Sequence, residues 1–419
     1  MAKELYFVES IYVPSEGNVS MVCLQPVENK ERFVVRSFSQ EQLRMHGHQG
    51  IIREGWYVYF NTETQEPFGY GNLSQYARKR FREYYELRDA LTNRYINPDN
   101  ETALVPQGFA NNSASVFSYH VNVGHGNCSI ILVEAGCCYQ LWMVDCSITD
   151  KTDHNRNYQE NLESAFKAVL KRLGKREDDQ LHIDRFFLTH IHHDHYNGID
   201  YLVNNHYIDN RTICYVNLYY QMASPTFNNT LKALKNANVK FVEPVSANST
   251  RAIRFLHPEC RIYRSKPTVK NVAGALGKFR TVSSPVNNSS AVVRFELGGR
   301  AMVFPGDLEQ SGFNHMSGAA TCSPYLANSD YYIVSHHGSI NGHPTMPCKN
   351  PLRPMPTPLD CVSNLTKKVF IMGRDGAYQG IYSPMVVGYW SGMSNVLEYT
   401  ESAPRFLELN WESGKVRNN

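Results

Sequence analysis

The sequence predicts a mixed α+β or α/β protein, with two packed sheets flanked by helices and a small, mostly β domain in front of them. Strand-like runs come in blocks with amphipathic helices between them, a pattern typical of layered sheets covered by helices. A polar stretch rich in proline and asparagine, residues 96–115, separates the first β-rich block from the rest and is predicted to be a linker. The 419 residues, 42% of them hydrophobic, are enough for one large domain and one smaller domain.

Residues 1–95 are predicted to form the small N-terminal domain, with strands followed by one helix. The strand-like runs are LYFVESIYV, NVSMVCLQPV, RFVVRSF and WYVYFNT, separated by turn-type segments such as PSEGN. The helix, residues 73–94, carries Lys79, Arg80, Arg82 and Arg94 among tyrosines, which could follow a nucleic-acid backbone. The same helix is also rich in acidic residues, so a solvated helix face is the simpler interpretation.

Residues 116–419 are predicted to form the large domain. Three strand runs, SVFSYHVNVG, CSIILVEAG and YQLWMVDCS, lead to the amphipathic helix YQENLESAFKAVLKRLGK and the strand IDRFFLTH. Further strands and one helix follow: TICYVNLYYQ, SPTFNNTLKALKNANV (helix), KFVEPVS, AIRFLHP, SAVVRFELGG, RAMVFPGD, YYIVSHHGS and KKVFIMG. Several of these strand runs, such as IDRFFLTH and RAMVFPGD, end in a histidine or an aspartate.

Composition narrows the class of protein. A net charge of +3 and a pI near 8.2 do not by themselves indicate nucleic-acid binding. The ten cysteines form no CxxC pair, so neither a zinc knuckle nor a thioredoxin motif is present, and a disulfide framework is not expected in a chain of this length. The start of the chain has no signal-peptide pattern, and no apolar run reaches membrane-spanning length, so we expect a cytoplasmic protein with no membrane association.

The stretch LTHIHHDHYNG, residues 188–198, concentrates four histidines and an aspartate directly after a strand. Two imidazoles two residues apart, His190 and His192, can bind one ion, while Asp194 and His195 can reach a second ion nearby. Such a mixture of nitrogen and carboxylate ligands suits zinc, and also manganese or iron. A chance match to this spacing at a strand end is rare, so the motif predicts a metal site.

Two later strand ends provide further candidate ligands. AMVFPGDLE ends a strand in Gly306-Asp307, where a carboxylate could bridge two ions. YYIVSHHGS ends another strand in His336-His337-Gly338, and either histidine could close the site. Each segment is weak evidence alone, but the order of the three segments along the chain strengthens the prediction.

This order resembles the metallo-β-lactamase superfamily over roughly residues 116–415. Within it, the closer resemblance is to the hydrolase domain of bacterial DNA-uptake (competence) proteins. VNVGHGNCSIILVE is similar to that group's glycine-rich strand turn, and NNSSAVVRFELGGRAMVFPGD to its Asn-x-x-Ser strand followed by Gly-Asp. The matching residues with supporting or substrate-contacting roles are Gly124, Gly126, Asn127, Asn287 and Ser290, together with the early buried aspartate Asp145 and with Ser339 after His-His-Gly.

The resemblance implies an αββα sandwich with two divalent ions at one edge of the sheets. It places His190 and His192 on one ion, Asp194 and His195 on the other, and Asp307 between them. It implies His337 on the second ion, with His336 as the alternative.

The sequence departs from the superfamily at the third histidine of the first ion. In the interval where that ligand is expected, only His206 and His257 occur, or Asn287 and Ser290 take its place. Strict binding of two ions is therefore an open point of the prediction.

The predicted function is metal-dependent hydrolysis by a metal-bound hydroxide, with Asp194 and Asp307 as the catalytic carboxylates. Zinc is the first choice of metal, with manganese or iron as alternatives. The resemblance to the DNA-uptake group implies a phosphodiester substrate, either nucleic acid or nucleotide. A carboxylic ester, lactone or thioester hydrolase and a non-catalytic, metal-stabilised sensor are the alternatives.

Several accessory roles are left open by the sequence. The GHGN turn could donate backbone N–H groups to a phosphate, or its glycines could serve the turn alone. Candidate general acids are His193, His315 and His343, although loop histidines without such a role are more common. The N-terminal domain could bind a protein partner, self-associate or shape the substrate channel.

Overall fold

The computed structural model describes residues 3–12, 19–28, 33–39, 41–43, 52–72, 74–96, 114–218, 222–242, 253–256, 286–310, 312–313, 329–343, 368–378, 381–392 and 396–419. The predicted linker, apart from its ends, lies outside these residues. Among the described residues, no helix is long and apolar enough to cross a membrane.

The N-terminal part forms an antiparallel sheet in the order β3-β2-β1-β4-β5. Its strands are β1 (Lys3–Tyr12), β2 (Val19–Pro26), β3 (Val34–Ser39), β4 (Tyr57–Asn61) and β5 (Pro67–Tyr70). Four of these match the predicted runs, whereas β5 is too short and too proline-rich to be recognised from its pattern. Helix α1 (Gln75–Thr92) begins at Ser74, whose hydroxyl accepts a hydrogen bond from the Ala77 N–H.

The first sheet of the large domain has the order β13-β12-β11-β8-β7-β6-β20-β21 among the described residues. Its strands are β6 (Ser115–Val121), β7 (Cys128–Ala135), β8 (Cys138–Cys146), β11 (Arg185–Leu188), β12 (Ile213–Val216), β13 (Lys240–Val242), β20 (Phe406–Asn410) and β21 (Val416–Asn418). A small separate pair, β9 (Thr149–Asp150) and β10 (Arg156–Asn157), follows β8. Strand β11 runs parallel to β8 and β12, so these strands end at the same edge.

The second sheet has the order β14-β15-β16-β17-β18-β19 in the described part of the chain. Its strands are β14 (Ile253–Leu256), β15 (Val292–Leu297), β16 (Arg300–Phe304), β17 (Tyr331–Ile333), β18 (Lys368–Ile371) and β19 (Val396–Tyr399). Strands β15 and β16 form the predicted antiparallel pair, and β16 to β19 run parallel.

The two large sheets pack face to face. The core between them contains Trp142 and Phe187 from the first sheet and Phe295 from the second, with ring centroids 5.3 Å (Trp142–Phe295) and 5.1 Å (Phe187–Phe295) apart. Helices cover the outer faces: α2 (Gln159–Arg172), the short α3 (His193–Tyr196), α4 (Ile199–Asn204) and α5 (Pro225–Asn236) on the first sheet, and α6 (Pro384–Gly392) on the second. The mixed α/β class with helix-flanked sheets is confirmed in this coarse form.

Helix α1 packs on the large domain rather than on its own sheet alone. Its buried face, with Ala77, Tyr84 and Leu91, belongs to the same core as the outer face of the first large sheet. The Tyr84 hydroxyl donates to the Leu218 carbonyl at 2.8 Å. The boundary near residue 95 stays a prediction, but the two parts share a continuous core.

Candidate metal centre

Strand ends from both large sheets meet at one edge of the molecule. Strand β11 leads into Thr189 and the histidine motif, and β16 leads into Asp307. The Ala291 N–H donates to the Thr189 carbonyl at 2.8 Å, and the His336 N–H donates to the Gly306 carbonyl at 3.2 Å. Because parallel strands end on the same side, segments far apart in the chain are brought together here.

Two groups of buried ligand-type side chains share Asp307. The first consists of Asp194, His195, Asp307 and His337, and the second of His190, His192 and Asp307. Within each group, one nitrogen or carboxylate oxygen per residue lies within 4.8 Å of the others. Asp307 Oδ1 is 3.2 Å from His195 Nε2, and Asp307 Oδ2 is 3.5 Å from His337 Nε2 and 3.8 Å from His190 Nε2. The cluster can therefore hold metal ions.

The geometry of the nitrogen and oxygen atoms fits a metal. His190 Nε2 and His192 Nδ1 are 3.2 Å apart, close to the separation of about 3.4 Å expected for two imidazoles on one tetrahedral zinc. His195 Nε2, His337 Nε2 and Asp307 Oδ1 are buried and make no hydrogen bond within the described structure. Buried polar atoms normally have partners, so atoms of this kind facing one another point to an ion.

The Asp145 carboxylate contacts two residues of the histidine segment, Thr189 and His195. Asp145 ends β8 with φ of 54°, and its carboxylate accepts hydrogen bonds from the N–H and the hydroxyl of Thr189, both at 2.8 Å. The same carboxylate lies 2.8 Å from His195 Nδ1, which leaves Nε2 facing Asp307. Burial would lower the pKa of His195, but Asp307 and Asp145 raise it well above its usual value. Asp145 therefore orients the His195 ring, and its predicted supporting role in a metal site stays a prediction.

The backbone of the His-His-Gly segment separates the two histidines. His336 and His337 have φ of 50° and 52°, an uncommon left-handed conformation that costs energy and is concentrated at functional sites. His337 Nδ1 lies 2.8 Å from the Met372 carbonyl, and its Nε2 points into the first ligand group. His336 Nε2 is further from Asp307 Oδ2, at 3.9 Å, and lies 3.4 Å from Asn287 Nδ2. This arrangement favours His337 over His336 as a ligand.

Asn287 and Ser290 lie beside Asp307 but outside both ligand groups. The Ser290 hydroxyl accepts a hydrogen bond from the Asp307 N–H at 3.2 Å, and Asn287 Nδ2 donates to Glu309 Oε1 at 3.0 Å. Their contacts position the loop after β16, and their role in place of a third histidine stays a prediction.

Backbone N–H groups of the glycine turn form hydrogen bonds within the protein. The Gly124 N–H donates to Asn122 Oδ1 at 3.2 Å, and the His125 N–H donates to Asp150 Oδ2 at 2.9 Å. The Asn127 N–H donates to the Asp194 carbonyl at 3.0 Å. A Cβ on Gly126 would lie 2.9 Å from the Asp194 carbonyl oxygen. The interpretation of this turn as a phosphate cradle is therefore wrong for these three N–H groups, and its glycines serve close packing against the histidine motif.

Most of the other candidate residues do not reach the site. His206 is exposed at the end of α4, which excludes it as the third ligand. The buried His193 ring packs on Phe33, with ring centroids 4.2 Å apart, and the buried His343 ring packs on Tyr389, with ring centroids 4.9 Å apart. Neither histidine is therefore placed as a general acid. His257 and His315 lie outside the described residues.

Ser339 and the basic helix have structural partners. The Ser339 hydroxyl is buried, accepts from the Asn341 N–H at 3.3 Å and lies 3.5 Å from the Tyr12 hydroxyl. On α1, Arg80 pairs with Glu83 at 2.6 Å, and Arg94, just beyond the end of this helix, donates to the Lys235 carbonyl. These contacts favour the interpretation of α1 as an ordinary partly solvated helix.

A small cavity opens onto the cluster and includes residues that the sequence did not identify. Its lining is Ser10, Ile11, Tyr12, Glu54, His125, Lys151, His192, Asp194, Asn287, Asp307, His336 and Tyr378. Lys151 Nζ lies 3.4 Å from Asp194 Oδ1, and His125 Nε2 lies 3.3 Å from Asp194 Oδ2. His125 stands inside the quoted glycine turn and could have been suspected. Lys151 and Glu54 carry no local signal.

Known proteins give little further guidance. No protein-family model and no curated protein sequence matches the chain. A solved structure described as a new diphosphatase from the PhnP family is 13% identical, over 70% of this chain and 97% of its own, with a TM-score of 0.32. This likeness is too low to support a fold or a function, so both depend on the geometry above.

Proposed function

We propose that the protein is a metal-dependent hydrolase of the metallo-β-lactamase fold, acting on phosphodiesters. The observation that carries the proposal is the pair of buried His/Asp groups that share Asp307 at the carboxyl ends of β11, β16 and β17. Strands from both large sheets bring together the ligand-type residues that the three sequence motifs contain. The helix–sheet–sheet–helix layers are compatible with this fold.

Two divalent ions are assigned to the two groups, with zinc as the first choice because imidazole and carboxylate are its common ligands; manganese and iron are the alternatives. His190 and His192 would hold one ion, and Asp194, His195 and His337 the other, with Asp307 between them. When bound, such ions lower the pKa of a water molecule and polarise the bond to be cleaved. Asp145 and the Met372 carbonyl hold the imidazoles of His195 and His337 in the required orientation.

The character of the cavity supports an anionic substrate. Lys151 is 4% exposed and reaches the cavity beside Asp194, so it can pair with a phosphoryl oxygen. An ester, lactone or thioester hydrolase would need an apolar pocket for the acyl group. Here the lining is mainly polar and charged, with Ile11, Tyr12 and Tyr378 as the exceptions.

The test measures bound metal and activity in one preparation. Elemental analysis gives the ions per chain, and bis-p-nitrophenyl phosphate with Zn²⁺, Mn²⁺ or no addition measures phosphodiester cleavage. We expect the wild type to bind metal and turn over. His192→Ala should lose one ion equivalent and turnover, whereas Asp307→Ala, which removes the residue shared by both groups, should lose both ions and turnover. His206→Ala is the matched control because it removes an exposed histidine outside the site.

The rival functions give different results. Bound metal with activity on p-nitrophenyl acetate but on no phosphodiester would replace the substrate class with a carboxylic ester. Bound metal without any turnover would indicate the sensor. A wild-type protein that binds no metal would overturn the proposal.

A further inference from the structure

The His192 ring has one nitrogen facing the ligands and one facing away. Its Nδ1 lies 3.2 Å from His190 Nε2, in the second ligand group. Its Nε2 is buried and makes no hydrogen bond to any described residue. If Nδ1 is a ligand, Nε2 must carry the proton, because a neutral imidazole has one donor and one acceptor nitrogen. That buried N–H needs an acceptor.

Other imidazoles of the cluster have such a partner within the large domain. His195 Nδ1 faces the Asp145 carboxylate, and His337 Nδ1 faces the Met372 carbonyl, each at 2.8 Å. Metal-binding histidines commonly donate their second N–H to a carboxylate or a carbonyl, which fixes the ring and raises its basicity. His192 is the exception among these three.

Glu54 of the N-terminal domain is the nearest carboxylate to that nitrogen among the described contacts. Its Oε1 lies 3.9 Å from His192 Nε2, and the two side chains are 3% and 5% exposed. A movement of about 1 Å would bring the pair to hydrogen-bond distance. Both groups also line the cavity.

The position of Glu54 is fixed by strand β1. Its carboxylate accepts a hydrogen bond from the Ile11 N–H at 2.9 Å, and the next residue, Gly55, donates its N–H to the Val8 carbonyl at 2.9 Å. A second buried carboxylate, that of Glu9 on β1, accepts a hydrogen bond from the His193 N–H at 2.6 Å. The N-terminal part is therefore hydrogen-bonded to the backbone of the histidine motif through Glu9, and Glu54 lies beside the imidazole of His192.

We propose that Glu54 is a positioning residue of the metal site: it accepts the Nε2–H of His192 and thereby holds Nδ1 on the first ion. The N-terminal domain then completes the metal site instead of serving only as a binding module. This inference rests on the proposed metal-dependent function. It also gives the first ion, which lacks a third histidine in the described structure, a carboxylate that strengthens one of its ligands.

The test compares Glu54→Gln with Asp184→Asn. Both variants keep side-chain size and the acceptor for a backbone N–H, since Asp184 accepts from Leu141 N at 2.8 Å. Only Glu54 faces a ligand histidine. The measurements are the zinc dissociation constant by competition with a chelating dye and the thermal midpoint of the metal-free protein.

We expect Glu54→Gln to weaken binding of one ion equivalent by about 10- to 100-fold, with an unchanged metal-free thermal midpoint. Asp184→Asn should bind zinc like the wild type. Equal affinity in Glu54→Gln and wild type would overturn the inference. So would a joint loss of affinity and metal-free stability, because that result assigns Glu54 to domain packing. A wild type without zinc binding would instead refute the proposed function.

Discussion

Asp307 belongs to both ligand groups, and its neighbours restrict which residues can stand beside it. Its N–H is held by Ser290, and the residue before it, Gly306, has φ of 60°. A Cβ at Gly306 would lie 2.6 Å from Thr189 Oγ1, the hydroxyl that also binds Asp145. Conformation and space both require glycine at this position.

Gly306→Ala should therefore lower the free energy of unfolding more than an alanine at another left-handed glycine. Gly136 is the matched control, because its φ is 62° and a Cβ there would meet no atom within 4 Å. We expect Gly136→Ala to cost about 1–2 kcal/mol and Gly306→Ala about 1–3 kcal/mol more. Urea unfolding measures the difference. Equal costs would show that Thr189 moves aside without penalty.

Lys151 is the residue that we expect to distinguish anionic from neutral substrates. Replacing it with methionine keeps the length of the side chain and removes the cation beside Asp194. We expect kcat/KM for bis-p-nitrophenyl phosphate to fall about 10-fold or more, with smaller effects on a neutral ester. Lys167→Met, at a half-exposed lysine paired with Glu177, is the control. A uniform loss on both substrates would assign Lys151 to stability of the site.

At the scale of elements, the strand ends explain why the site exists at this edge. Strands β16, β17 and β18 run parallel, so the segments after them emerge side by side, opposite the segment after β11. The strands themselves are buried on both faces and fix the loops that carry the ligands. The rigidity of the site therefore depends on the packing between the two sheets, which includes a histidine on β6.

His120 makes this packing sensitive to pH. It lies between the sheets, with Nδ1 2.9 Å from the Ser129 hydroxyl and Nε2 3.1 Å from that of Ser118, and burial lowers its pKa to about 3. In the unfolded chain a histidine titrates near 6.5, so below that pH the unfolded state takes up a proton that the folded state refuses. Stability is therefore lost as pH falls from about 6.5 towards 3, by about 2 kcal/mol on reaching pH 5.

His120→Gln should remove this pH-dependent component. The measurement is urea unfolding of metal-free wild type and variant at about pH 7.5 and about pH 5, with a chelator present so that acid-driven metal release does not contribute. The variant can be less stable at the higher pH, but it should lose about 2 kcal/mol less on acidification. Parallel losses in both proteins would contradict the assignment.

At the scale of the whole molecule, three parts of the chain meet at one buried cluster. The first large sheet supplies the histidine motif, the second supplies Asp307 and His337, and the N-terminal sheet supplies Glu9 and Glu54 at its border. Such a cluster concentrates buried charges and imidazoles that an ion would neutralise and connect. Metal binding should consequently stabilise the folded chain as a unit.

Zinc should raise the thermal midpoint of the wild type, and a chelator should lower it. At a free zinc concentration about 100 times the dissociation constant, binding to the native state alone contributes about 2.7 kcal/mol. Asp307→Asn should lose this response, whereas His206→Ala should keep it. Differential scanning calorimetry with and without zinc provides the check, and a zinc response retained in Asp307→Asn would place the ion elsewhere.

The strand blocks, the main helices and the ligand-type residues at strand ends can be predicted from the sequence alone. These depend on local periodicity and on turn chemistry, which neighbouring residues specify. The sequence pattern did not predict strand β5, helix α6 or the strands after it, because they are short or lack a clear period.

The tertiary structure was needed to identify which distant residues share the site. It separated His337 from His336 through a left-handed backbone, assigned the glycine turn to internal hydrogen bonds, and brought Lys151, His125 and Glu54 to the cluster. No local pattern contains this information, because these contacts join residues up to hundreds of positions apart. Their proximity is a consequence of how the sheets pack, and packing is decided by the whole core.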